Sequence, residues 1–354
     1  MPDQNHKLVI YGSYGYTGRL ISELVAERDL NAILSGRNES KLKNQAKYLD
    51  LYQQAADLSN PAEMDELLKN VDVVVHCAGP FINTWKLMAE ACLRNKCHYL
   101  DITGEIAVFE GLKKMDDRFK EAGLMALPGA GFDVVPSDCL AVHLKEKLPD
   151  ANELELAFAG LGGGVSRGTA KSMAEQTGNG GAVRRNGEIK KVLTGRYSKK
   201  INFGSKILDT VSIPWGDIST AYTSTGIGNI TVYMAMTKQG ISMLRLSNII
   251  NPILRLDAFR NMLKNKIDNR SAGPDAENRE RGKSLFWGRV QNKKGESFES
   301  RMVTPEGYSL TAQTALLIAQ KVLSGEYSPG YQTPATAYGK DLIFEVEGVK
   351  LEDD

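Results

Sequence analysis

The sequence predicts an α/β protein: a Rossmann-type, doubly wound parallel sheet followed by a second, mixed α/β domain. Three observations predict it. Residues 7 to 128 alternate short β-rich runs with longer segments of helical period. Three glycines, Gly12, Gly15 and Gly18, stand between the first such strand and the first helix. From about Leu154 the texture changes to glycine-rich turns and hairpin-like runs. The expected boundaries are 1–135 for the first domain, 136–304 for the second and 305–354 for a C-terminal helical segment.

Taken in order, the first-domain strands fall at Lys7–Gly12, Asn31–Gly36, Gln53–Ala56, Val71–Ala78, His98–Ile102 and Leu124–Pro128. Helices are expected over Tyr16–Glu27, Ser40–Leu49, Ala62–Leu68, Thr84–Asn95 and Phe109–Ala122. The run VDVVVHCA is apolar nearly throughout, as a strand covered on both faces should be. Beyond Leu154, Asn186-Gly187 marks a hairpin turn, and Gly228–Met236 reads as an antiparallel strand. A glycine-rich entry leads into a helix over Thr169 to Thr177. The charge-dense stretch 264 to 284, with Gly273-Pro274 inside it, reads as a mobile loop. Pro305–Leu323 carries an apolar helical face through Leu310, Ala315, Leu316, Ile318, Ala319 and Val322, ending at Gly325.

Composition narrows the function. The 354 residues include 44 Lys or Arg against 43 Asp or Glu, a formal net charge of +1. Near-neutrality without a block of like charge leaves no electrostatic footprint for nucleic acid or an anionic membrane, so a small-molecule substrate becomes the expected partner, with a homo-oligomer open. Cys77, Cys92, Cys97 and Cys139 match neither a disulfide framework nor paired zinc knuckles, and with no secretory signal after MPDQNH the chain is expected to be cytoplasmic. No metal site is expected. Met243 to Leu263 leans apolar but is broken by Arg245, Asn248, Asn251, Pro252, Arg255, Asp257 and Arg260, so it is no integral membrane segment. An amphipathic helix lying against a domain or a surface remains open there.

The first turn, YGSYGYTGRL, has the physics of a phosphate cradle. Gly12 permits a tight turn, Gly15 lets the backbone approach a pyrophosphate, and Gly18 lets helix and strand pack closely, with Tyr14, Tyr16 and Thr17 filling the loop. At the end of the second strand, where an NAD enzyme places a carboxylate on the ribose 2′-hydroxyl, this chain reads Ser35-Gly36-Arg37-Asn38. A guanidinium there pairs with a 2′-phosphate or stacks on adenine, so NADP(H) is the expected cofactor, with Ser35, Asn38 and Lys41 as helpers. Asp57-Leu58 follows the third strand, and Cys77-Ala78-Gly79-Pro80-Phe81 closes the fourth; both are expected along the cofactor track. Asp57 as a helix cap, and Gly79-Pro80 as a plain turn, are the alternatives.

The segments GSYGYTGRL, SGRNESKL, VVVHCAGPF, HYLDITGE and PGAGFDVVPSD, in that order, resemble the saccharopine dehydrogenase-like oxidoreductases. TPEGYSLTA and TPATAYGKDL add a likeness to the bacterial trans-acting enoyl reductase branch. The resemblance implies a Rossmann domain, a second α/β domain after it, and a C-terminal helix returning toward the first. It also implies hydride transfer to or from a C=N, C=C or C=O substrate bound between the domains. A non-catalytic NADP(H)-binding regulator or scaffold is the alternative.

For such chemistry the candidates are Asp101 and Glu105, at the carboxyl end of the fifth strand, as proton donor or substrate holder. The alternative is that Thr103 or Asp101 caps the next helix and Glu105 complements its dipole. Arg167 follows the glycine-rich entry at a helix start and is a candidate seat for a substrate anion; the alternative is a solvated side chain beside a Ser166 or Thr169 cap. A short-chain dehydrogenase would also fit the first domain but requires a Tyr-x-x-x-Lys pair, and none of the 13 tyrosines has Lys four residues later.

Overall fold

The computed structural model describes residues 7–254, 256–269 and 271–353. The N-terminal hexapeptide on which the absence of a signal was argued lies outside the described residues, as does Arg255. The chain divides into two compact units, Met1–Asp133 with Tyr308–Ala337, and Val134–Gly307 with Tyr338–Asp354.

The first unit alternates strand and helix: β1 (Leu8–Tyr11), α1 (Tyr16–Glu27), β2 (Ala32–Gly36), α2 (Glu39–Leu49), β3 (Tyr52–Ala55), α3 (Pro61–Leu68), β4 (Val73–His76), α4 (Trp85–Asn95), β5 (His98–Asp101), α5 (Ile106–Lys113), α6 (Asp116–Glu121) and β6 (Met125–Leu127). Local chemistry sets several boundaries. Asn38 caps α2 through Lys41 N, and Asn60 caps α3 with Pro61 in its first turn. The single helix expected over Phe109–Ala122 is instead two. The main chain tightens where Lys114 N and Met115 N reach back three residues, and Asp116 and Asp117 open a new first turn.

The second unit contains α7 (Val135–Lys147), β7 (Glu153–Leu161), α8 (Arg167–Gln176), β8 (Gly181–Arg185), β9 (Glu188–Val192), β10 (Ser198–Asn202), β11 (Ile207–Ser212), α9 (Asp217–Thr225), β12 (Asn229–Ala235), α10 (Lys238–Leu246), α11 (Asn251–Leu254), α12 (Asp257–Asp268), α13 (Ala276–Arg281), β13 (Lys283–Gln291) and β14 (Ser297–Pro305). The chain then forms α14 (Gly307–Leu323), β15 (Gly330–Tyr331), α15 (Pro334–Tyr338) and β16 (Lys350–Asp353).

The first sheet runs β15-β6-β5-β4-β1-β2-β3, all parallel. Its order reverses at β1 and β4, and ligands of doubly wound sheets sit at the carboxyl ends of the strands flanking such a reversal. Every residue of β1, β2, β4, β5 and β6 is buried. Within this unit Thr311 Oγ1 of α14 accepts from Phe132 N at 2.9 Å, and Thr314 donates to Ala130 O at 2.8 Å.

The second sheet runs β10-β11-β12-β7-β13-β14-β16, with the β8–β9 hairpin attached to β12. The Asn186-Gly187 turn forms as expected, with φ of 50° and 82°, the left-handed pair a two-residue hairpin needs. The strand over Gly228–Met236 differs from expectation, since β12 pairs in parallel with β7 and antiparallel with β11. α7 packs closely on β13: a Cβ on Gly288 would stand 2.5 Å from the Leu144 side chain. The stretch 264–284 is also no single loop. α12 runs on to Asp268, because Leu263 and Ile267 pack on Ala170 and Ala174 of α8, and Asp275 then caps α13.

Candidate functional site

The site begins where β1 gives way to α1. Gly12 has φ of 83°, and a Cβ on it would lie 2.9 Å from Ala78 N, so the turn presses on the chain leaving β4. Gly12 N and Ser13 N both donate to Ser35 O, at 2.7 and 3.1 Å, tying the turn to the end of β2. Gly18 packs tighter still, its notional Cβ 2.3 Å from Gly12 O. Gly15 differs: Gly12 O at 3.1 Å is the one neighbour its Cβ would meet. α1 starts there without a side-chain cap and without an acidic residue in its first turn, which leaves the positive end of its dipole facing outward. A cradle that a side chain would fill, at a helix N-terminus on the sheet's reversal point, fits a pyrophosphate.

The expected cofactor residues do different things. Tyr14 lies across the end of β2, where a Cβ on Gly36 would come 2.8 Å from its ring; its hydroxyl accepts from Asn38 N at 3.2 Å, and Lys41 Nζ stands 5.7 Å from the ring centroid. Tyr16 meets Tyr308 edge to face at 4.9 Å, and Thr17 is half-buried in the first turn of α1. Arg37 is exposed and forms no hydrogen bond or ion pair among the described residues. Its neighbours are engaged locally. The Ser35 hydroxyl donates to Gln54 O at 2.7 Å, and Asn38 Oδ1 accepts from Lys41 N and the Ser40 hydroxyl at 3.0 and 2.9 Å. Asp57 Oδ1 accepts from Ser59 N and Oγ at 2.9 and 2.7 Å, and these bonds hold its carboxyl below the usual range. Leu58 packs against the core.

After β4, Cys77 N donates to Tyr11 O at 2.8 Å, while burial pushes the half-exposed residue's thiol well up. Ala78 backs Gly12, and the Gly79-Pro80 peptide is cis. Two positioning residues here escaped the sequence reading. Gln45 of α2 grips the glycine loop, accepting from the Ser13 hydroxyl at 2.8 Å and donating to Ser13 O at 2.9 Å. Thr84 donates to Ala78 O at 2.9 Å and lies 2.9 Å from Nε2 of His76, whose ring is buried and driven down to about 3, hence neutral. Neither has a motif; each requires the tertiary fold to bring it to the loop.

The candidate acids are wired into the backbone. Asp101 is fully buried, accepting from the Tyr99 hydroxyl at 2.5 Å and from Thr103 N and Gly129 N at 3.0 and 2.9 Å. Burial lifts its carboxyl to about 6 against those three bonds. Glu105 accepts from Phe81 N and Ile82 N at 3.1 and 2.9 Å. It precedes α5 without a side-chain cap, so helix capping is not its role. In the second unit, Ser166 caps α8 through Thr169 N at 3.2 Å, and the exposed Arg167 reaches Asp268 O at 3.4 Å. Arg167 shares no described contact with another candidate.

That unit also holds a polar cluster the sequence reading passed over. Asp138 and Asp217 are both fully buried, and Asp138 Oδ1 accepts from the Ser224 hydroxyl at 2.6 Å. Burial, with the Asp138 charge nearby, pushes Asp217 up to about 7 against the pull of the Ser137 hydroxyl.

The first unit's sheet order, glycine cradle and exposed Arg37 define a dinucleotide-binding Rossmann domain. Comparison makes the class particular: residues 8–127 match the family model described as "Saccharopine dehydrogenase NADP binding domain", and that match supports NADP(H) as the cofactor of this unit. Over 161 residues the chain is 27% identical to the human "Saccharopine dehydrogenase-like oxidoreductase", covering 40% of this chain and 38% of that protein. It is 28% identical over 187 residues to the "Trans-acting enoyl reductase" of Mycobacterium ulcerans (strain Agy99), covering 50% and 43%. The matched region thus spans less than half of either relative. The fold agrees with that of apo histidine-tagged saccharopine dehydrogenase (L-Glu forming) from Saccharomyces cerevisiae, with a TM-score of 0.67 at 13% identity, over 98% of this chain and 99% of that one.

Proposed function

We propose that this protein is an NADP(H)-dependent oxidoreductase that transfers hydride to or from a C=N, C=C or C=O group of a small-molecule substrate. The observation that carries the reading is the pairing of the Gly12–Gly18 cradle with an exposed Arg37 at the end of β2 that forms no hydrogen bond or ion pair among the described residues. The main chain at Gly12 and Gly15 would take the pyrophosphate, and Arg37 the 2′-phosphate, with Tyr14 and Lys41 beside it. Ala78, Gly79 and Pro80 would border the ribose and nicotinamide. When bound, the cofactor supplies hydride, a chemistry no side chain provides. This chain contributes orientation: Gln45 holds the loop from one side, and Thr84 and Glu105 hold the 78–82 segment from the other. The relative named an enoyl reductase supports C=C as the reduced bond. Four unpaired cysteines support a reducing, cytoplasmic setting.

One observation favours a second reading, a non-catalytic NADP(H)-binding regulator. Asp101 and Glu105, the strand-end carboxylates, are both committed to main-chain N–H groups, so they have other work than delivering a proton. Deuterated NADPH separates the two. Each C4-labelled epimer is incubated with a panel of enoyl, imine and ketone substrates, and the oxidoreductase reading expects deuterium in a reduced product from one epimer alone. Tight NADPH binding without transfer to any class would leave the regulator.

A further inference from the structure

The second unit carries an apolar surface that the cofactor chemistry does not use. On and just beyond α10, Met243, Leu246 and Ile249 are 74%, 63% and 76% exposed, and they recur every three residues along one side of the helical run. Further along the chain Ile250, Leu256 and Met262 are exposed as well. A loop from the neighbouring hairpin joins them. Thr194 N donates to Asn248 Oδ1 at 2.9 Å, Asn248 Nδ2 donates to Thr194 O at 3.0 Å, and Arg245 Nε donates to Gly195 O at 2.9 Å, which places the 59% exposed Leu193 beside α10. Isolated exposed apolar side chains are ordinary, but several on one side of a helix, with a loop leucine beside them, mark an interface.

Charge identifies the occupant. Residues 238 to 268 hold six basic and two acidic side chains in a chain whose net charge is +1. The exposed Lys191, Arg196, Lys238 and Lys266 form no ion pair among the described residues. Apolar side chains flanked by unpaired cations match a surface with hydrocarbon below and phosphate at its rim. A second copy of the chain fits less well, because a two-fold interface would set these cations against their own kind. No helix among the described residues is long and apolar enough to cross a membrane. We propose that α10–α12 and the 193–196 loop dock this protein peripherally on an anionic phospholipid surface. The proposal is independent of whether hydride is transferred.

The test is co-sedimentation of the full chain with vesicles of phosphatidylcholine alone and of equimolar phosphatidylcholine and phosphatidylglycerol. The expected result is pelleting with the anionic vesicles, weakened by salt. It should fall about tenfold or more in the combined variant Met243→Ser, Leu246→Ser, Ile249→Ser, and also in Lys238→Glu with Lys266→Glu. NADPH affinity measured on the same preparations should match the parent and shows that the variants are folded. No pelleting with anionic vesicles, or equal pelleting of parent and triple variant, would overturn the proposal. So would a parent dimer that becomes a monomer in the triple variant while neither binds vesicles, which would assign the face to a second copy.

Discussion

The Glu105 carboxylate accepts from the main-chain N–H of Phe81 at 3.1 Å and, with its other oxygen, from that of Ile82 at 2.9 Å. A residue at the end of one strand thereby fixes the loop that leaves its neighbour. Losing a charged acceptor from one buried and one partly buried donor costs about 1–3 kcal/mol. Glu105→Ala should therefore lower the melting temperature and weaken NADPH binding, with Glu105→Gln intermediate because one acceptor oxygen survives. Melting curves and titration calorimetry check this. An Ala variant with parental stability and affinity but no turnover would instead make Glu105 the acid.

Gly15 gives a sharper test of the cradle. Its Cβ would meet Gly12 O alone, so Gly15→Val should fold, with a melting temperature close to the parent's, yet lose NADPH binding because the side chain fills the space where phosphate meets the backbone. Retained affinity in a folded variant would move the pyrophosphate elsewhere.

Asp217 predicts a pH dependence. Its carboxyl is raised from an ordinary 3.8 to about 7 in the fold, so the folded state holds a proton that the unfolded state has released. Stability from this group therefore falls as pH rises from about 4 to about 7. Asp217→Asn should be more stable than the parent by more than about 1 kcal/mol at pH 8, and the gain should shrink below pH 5. Chemical denaturation at both values measures it; a gain that does not change with pH would contradict the assignment.

The parallel sheet was legible because buried strands such as VVVH are apolar on both faces, and each recurs before a helix with its own start signal. The tight glycine turn between β1 and α1 was legible because its backbone demand is local. Ser35, Asn38 and Asp57 are expected along the cofactor track by position, and the structure adds a local bond for each, to a strand, a helix cap or a turn. Gln45, Thr84 and the buried Asp217 were hidden for the opposite reason: their partners or burial come from distant elements. Residues 264–284 misled through charge, since the apolar positions that hold α12 against α8 are few.

We propose that Arg37 reads a 2′-phosphate beside the glycine cradle. A charge-assisted pair contributes about 1.5–3 kcal/mol, or roughly 10- to 150-fold in affinity. Arg37 makes no other described bond, so Arg37→Asp should leave the melting temperature alone. Titration calorimetry of the parent and this variant with NADPH and NADH is the most direct measurement. The account predicts NADPH binding weakened at least about tenfold while NADH binding holds or improves. Equal loss for both nucleotides, or no loss for either, would contradict it.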